Sequence, residues 1–375
     1  MKQLNKHTLL VFLIGVFVLI QVTYAQKEVD STLAIANRQI YENPDEAIRL
    51  ATQAYNSTNI SINNKINALL SISTAYSSKR DYEMASVYVE KIKALLPNIE
   101  NTRQRMNILN RIAAHYQELQ IYDKAIEYLD EALLLLENQR NQDSIQPLLG
   151  YNATMRGFIY RKQMNCDIAL NYFNEAIEYY KKTLEAHVRN ANLSICYYNK
   201  GNCLLSLGKN ISAKASFLSS IEYAKNAQAK SLVAFGQKGL AEAKTLEGNY
   251  EEAIELLNNA TNNAESVGDL VLNKGLYDGL SNNYLAIKDW ENYTLFHNKY
   301  LNLQNETKTA ERKSINQSLL KLTETKTKEI NELSKYYKPI LILIIIFIVL
   351  ALFILIRFVL FEEKKLKNLQ RKLTE

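Results

Sequence analysis

The chain has 375 residues but only eleven glycines and four prolines, a scarcity of turn residues that points to helices joined by short loops. Its formal net charge of +6 is small for that length. Basic and acidic residues are interspersed, so no basic stripe argues for nucleic acid.

At the N-terminus, Lys2, Lys6 and His7 precede an apolar run over residues 9–20, and Thr23-Tyr24-Ala25 follows. That is the layout of a signal peptide over 1–25, cut after Ala25; left uncut, the same segment becomes an anchor, and in both cases it directs export.

Beyond it one pattern recurs. A small residue, a larger apolar residue and another small or apolar residue stand at spacing four then three. The copies are Ala47, Ala51, Ala54; Ala85, Val89, Ile92; Ala125, Leu129, Ala132; Ala169, Phe173, Ala176; Ala213, Phe217, Ser220; and Ala253, Leu257, Ala260, with a degenerate Tyr293, His297, Tyr300. These positions share one helix face, where small side chains let a neighbouring helix come close. Nine residues before the first small position stands Tyr76, Tyr116, Tyr160 or Tyr284, with Leu204 once. Three residues earlier stands a small residue such as Ala113, Gly157 or Gly201. Each unit therefore predicts a hairpin of two helices, notched on both members.

This hairpin resembles the tetratricopeptide repeat (TPR) family, most clearly at Leu109, Ala113, Tyr116, Ala125, Leu129 and Ala132, and again at Gly157, Tyr160, Ala169, Phe173 and Ala176. The likeness covers residues 28–307. Successive first positions lie 38, 40, 44, 44, 40 and 40 apart rather than a strict 34, so residues 138–144 and 184–192 lengthen helices or loops. The first unit has Arg38 where the tyrosine belongs, which suits an atypical capping repeat.

The resemblance implies an all-α superhelical solenoid of about seven hairpins, whose concave face is lined by the first helix of each unit. In the family that face holds a protein or peptide ligand. Carried over, its positions fall on Asn67, Asn110, Tyr151, Arg161, Tyr198, Asn202, Lys238, Glu242 and Asn282. Asn and Lys there pin a peptide backbone or carboxylate, and Tyr adds contact area at low entropic cost; the plain alternative is that these are ordinary solvated side chains. Asn202 and Lys238 are a fragment of the family's clamp for a peptide C-terminus, and the rest of it is absent.

Chemistry-bearing constellations are not evident. His7, His115, His187 and His297 are scattered without paired ligand spacing, so no metal, cofactor or catalytic role is expected, and His115 reads as a structural histidine. Cys196 and Cys203 lie seven apart on one predicted helix, with Cα atoms about 10 Å apart, too far to bridge. With Cys166 they read as free thiols.

Residues 308–338 form a polar juxtamembrane helix or a weak coiled coil, with Ile315, Leu319, Leu322, Leu333 and Tyr336 on a seven-residue pattern that Lys326 and Glu329 interrupt. The run over 340–361, broken only by Arg357, spans about 33 Å as a helix, enough to cross a bilayer core of roughly 30 Å. A transmembrane helix over 339–361, in contact with membrane lipid, is expected. Paired with a cleaved export signal it acts as a stop-transfer segment, placing the repeats outside the cytoplasmic membrane and the basic tail, 362–375, inside. The layout resembles the sensory half of membrane-anchored TPR regulators, ending before a kinase or DNA-binding output domain could begin. Three readings stay open: a receptor signalling through a homodimer, a membrane-tethered scaffold, and a truncated regulator.

Overall fold

A computed structural model describes residues 26–58, 60–136, 143–264 and 269–374; the expected signal peptide and most of the 138–144 insertion lie outside them. Among the described residues the chain is helical with two short 3-10 turns and no strand. Helix α1 covers residues 26–39. It is followed by α2 (Pro44–Tyr55), α3 (Ile62–Ser78), α4 (Tyr82–Leu95), α5 (Thr102–Glu118), α6 (Tyr122–Leu134), α7 (Gln146–Lys162) and α8 (Cys166–Lys181). Then come α9 (Ala186–Ser206), α10 (Asn210–Asn226), α11 (Lys230–Leu246), α12 (Tyr250–Ala264), α13 (Leu270–Ala286) and α14 (Trp290–Thr374). They pair as seven hairpins, the last formed by α13 and the start of α14. Residues 186–192 of the second insertion belong to α9, the longest first helix of any hairpin at 21 residues.

Six hairpins turn in the same way. Arg80, Gln120, Met164, Gly208, Gly248 and Lys288 adopt left-handed conformations, with φ between +61° and +80°. The N–H of the following residue returns to the carbonyl five residues back, as from Asp81 to Tyr76 at 3.0 Å, Asn165 to Tyr160 at 2.9 Å and Asp289 to Tyr284 at 3.0 Å, satisfying the orphan carbonyls of the ending helix. In those three turns the same residue then starts the next helix, because the side chains of Asp81, Asn165 and Asp289 accept from the N–H groups of Met84, Ile168 and Asn292.

The recurrent small positions are the core. From Ala47 to Ala260 every member of the six regular copies is at most 3% exposed. Their partners are notches on the first helices. A Cβ on Gly157 would come within 2.5 Å of the Phe173 ring, and the Phe217 ring sits between Gly201 and Gly239, where added Cβ atoms would meet it at 2.5 and 2.3 Å. Only glycine allows that approach without displacing the ring. A second device ties the two helices of a hairpin. The tyrosine of the first helix stacks on an aromatic ring twelve residues later, in Tyr76–Tyr88, Tyr116–Tyr128, Tyr160–Tyr172 and Tyr284–Phe296, with centroids 5.4 to 5.7 Å apart.

The chain forms two units that part between Ser318 and Leu319. In the first, α14 continues past the seventh hairpin and buries Thr307, Ser314 and Ser318. Small hydroxyl residues make the close approach here, and Leu319 is exposed. Ser314 Oγ accepts the Glu83 N–H at 2.9 Å, capping the first turn of α4, and Glu311 lies 3.4 Å from the Arg80 guanidinium. The second unit is helical throughout its described length. Its apolar run is long enough to span a membrane, and none of that stretch is buried against protein. Pro339 opens the run inside the helix, where it removes one backbone hydrogen bond.

Candidate ligand groove

Side chains from the turn after α1 and from the first helices of later hairpins lie near one another. Tyr41, on the turn after α1, keeps about half its surface exposed, yet its hydroxyl is pushed up to about 12 by burial, with Tyr151, Glu118 and Asp269 adding to the shift and Arg111 opposing it. Exposed surface and strong desolvation coexist because protein surrounds this side chain without touching all of it. Turns and helices from four different hairpins thus converge. Glu42, beside Tyr41, accepts a hydrogen bond from Ser231 on α11 at 2.8 Å, a contact across 189 residues of sequence.

Arg111 anchors the centre. Its guanidinium donates to the Tyr151 hydroxyl at 3.4 Å and lies 4.8 Å from that ring's centroid. Tyr151 is the main cause that raises the affinity of Arg111 for its proton, while burial raises the Tyr151 hydroxyl. Nearby Glu118 is shifted up by burial, against a hydrogen bond from Ser77 and the charges of Arg80 and Arg111.

A second patch lies on α9, α11 and α13. The Tyr198 ring packs against Phe217 and Phe235, with centroids 6.1 and 5.4 Å away. Lys238 crosses Gly275, where an added Cβ would meet its Cε at 2.4 Å, and sits 3.7 Å from Glu242. Its ammonium is stabilised first by Tyr198 and then, against burial, by Glu242 and Asp278.

Of the residues expected on the concave face, the structure brings Tyr198, Lys238 and Glu242 together and places Tyr151 at the centre. Arg161 and Asn202 are half-buried on α7 and α9, Asn67 is exposed on α3, and Asn282 is exposed with its amide 3.4 Å from Asp278. Asn110 is a correction. It is fully buried, donating to the Leu148 carbonyl at 3.0 Å and accepting from Asn152 at 2.8 Å, so its amide joins hairpins and is closed to a ligand. The side chain that reaches the groove from that turn of α5 is its neighbour, Arg111. Sequence reasoning also passed over Tyr41, Arg80 and Glu118. Arg111 was within one position of being found, but Tyr41 comes near α5 and α7 through the winding of the array, which no local pattern encodes.

Residues 195–226, the second half of α9 and all of α10, match the model of the tetratricopeptide repeat. No curated protein sequence matches the chain. Among solved structures, the fold is similar to that of the Rap conjugation gene regulator of plasmid pLS20 in complex with the Phr* peptide, at 15% identity and a TM-score of 0.56, covering 78% of this chain and 75% of that one. NprR in complex with its cognate peptide NprX gives 17% and 0.52, over 76% and 82%. A signal-transduction ATPase with numerous domains and a tetratricopeptide repeat sensor, from Pyrococcus horikoshii, gives 16% and 0.55, over 82% of this chain and 49% of that one. One hairpin thus matches the tetratricopeptide repeat, and the same helix hairpin recurs from α1 into α14, giving the chain the fold of a tetratricopeptide-type solenoid.

Proposed function

We propose that the chain is a single-pass membrane protein whose exported repeat array binds a protein or peptide in its groove, without catalysis, and passes the binding event toward the tail at 362–375. The observation that carries the binding part is convergence: Tyr41, Arg111 and Tyr151, from three hairpins, lie close together, with Arg111 over the Tyr151 ring and Tyr41 half exposed. A surface with aromatic and charged side chains side by side suits an extended peptide, whose backbone needs hydrogen-bond partners along its length. Two proteins of the same fold have been solved with peptides bound, which supports the reading by analogy.

Transmission is favoured over a passive scaffold by the contacts of Glu311 and Ser314 with the second hairpin. They tie the last helix to the groove wall, so a ligand that prefers one width of the groove biases α14. Signalling through that helix calls for a homodimer. The test is a truncation: removing residues 362–375 should abolish the response of a cell carrying the gene while leaving export and peptide binding intact. A full response from the truncated protein would favour the scaffold.

A further inference from the structure

Two of the three thiols meet at one joint of the array, between the fourth hairpin and the fifth. Cys203, on α9, is fully buried in a small apolar cluster with Ala169 and Phe173 of α8, and Cys166, the first residue of α8, packs against that cluster. The next joint is built the same way, with Ala243 in the place of Cys203, packed with Ala213 and Phe217. Alanine fills that space without chemistry, whereas this joint carries a thiol on each of its two helices. The pair is coupled: burial raises the Cys203 thiol, and a hydrogen bond with Cys166 adds to the shift. Their accessibility differs, since Cys166 is half-buried and Cys203 is closed to solvent. Cys196 belongs to another cluster, with its sulfur 3.4 Å from the Thr154 hydroxyl, and burial pushes its thiol up to about 12.

We infer that Cys166 and Cys203 are a redox pair that closes, on oxidation, into a disulfide stapling the fourth hairpin to the fifth. The oxidant is a small disulfide such as oxidised glutathione. The Cys166 thiolate attacks one of its sulfurs, forming a mixed disulfide and releasing a glutathione thiolate that takes up the proton Cys166 has lost. Cys203, as its thiolate, then attacks the Cys166 sulfur and releases the second glutathione, which takes up the proton from Cys203. Two protein thiols end as one disulfide, and one glutathione disulfide ends as two thiols. Burial shields Cys203 from the oxidant, so Cys166 reacts first. Export, as proposed, exposes the pair to such oxidants, but the staple rests on neither export nor the groove.

The test treats the full chain in detergent micelles with oxidised glutathione, then unfolds it in N-ethylmaleimide and maps tryptic peptides by mass spectrometry without reduction. Cleavage after Lys200 separates Cys196 from Cys203. We expect a linked peptide pair holding Cys166 and Cys203, with Cys196 carrying only the blocking group. In C203S, folded by circular dichroism, Cys166 should stop at the glutathione adduct, and in C166S Cys203 should stay unmodified. The oxidised wild type should melt about 5 °C above the reduced one, because the bond restricts the unfolded chain. Absence of the linked pair, a pair that includes Cys196, or glutathione on Cys203 in C166S would overturn the assignment. An oxidised midpoint no higher than the reduced one would overturn the staple, since the bond would then form only by distorting the joint.

Discussion

His115 is a buried imidazole with one satisfied nitrogen. Its Nε2 lies 2.9 Å from the Ser86 hydroxyl, and Nδ1 is buried with no hydrogen-bond partner among the described residues. Burial, and secondarily Lys93, lowers its pKa from the usual 6.5 to about 4. The unfolded chain therefore binds this proton more readily, so stability is complete above pH 6.5 and declines as pH falls toward 4. The loss has an upper bound of about 3 kcal/mol, at 1.36 kcal/mol per unit. Urea denaturation at pH 7 and pH 4.5 should show a stability drop in the wild type that is smaller in His115→Gln, which keeps a polar group for Ser86 without a titrating ring. Equal drops in both proteins would remove His115 as the cause.

At the scale of the element, the hairpin turn is the recurring unit, and it is not optimised. Gly208 and Gly248 occupy two of the left-handed positions, but Met164 stands in a third at φ 61° with 91% of its surface exposed. A side chain there costs about 1 kcal/mol relative to glycine. Met164→Gly should raise the thermal midpoint, whereas the same change at Met106, buried in a helix, should lower it steeply; a fall at Met164 would show that its conformation matters less than the unfolded-state entropy of glycine. The helices themselves were legible in the sequence, because each buried small position is a local fact repeated at nearly constant spacing. The tyrosines of the first helices were read as well, but not their stacking partners twelve residues on. Ser314 and Ser318 were not: their burial depends on a helix from another part of the array. For the same reason the carried-over positions include Tyr198 and Lys238, which meet on neighbouring helices, alongside Asn110, which is closed off between hairpins.

Across the whole molecule, hairpins that touch only their neighbours should respond to damage locally. The bonds from Glu42 to Ser231 and from Glu83 and Arg80 to Ser314 and Glu311 do something else, joining segments 189 to 231 residues apart in sequence. They turn a one-dimensional array into one in which early and late hairpins share a fate. Such a chain melts as a block rather than peeling from one end, and its urea dependence reports the whole buried surface in a single transition. Glu42→Ala combined with Glu311→Ala should keep the helical content and yet lower the urea m-value or split the transition in two. An unchanged single transition would mean that neighbour packing alone holds the array together. The ring of contacts also has a kinetic side. Its last bonds close only after most of the chain has been made, so an array synthesised from α1 onward waits for residue 314 before its final cross-links can form, and until then the Glu83 N–H in the first turn of α4 lacks its partner from α14.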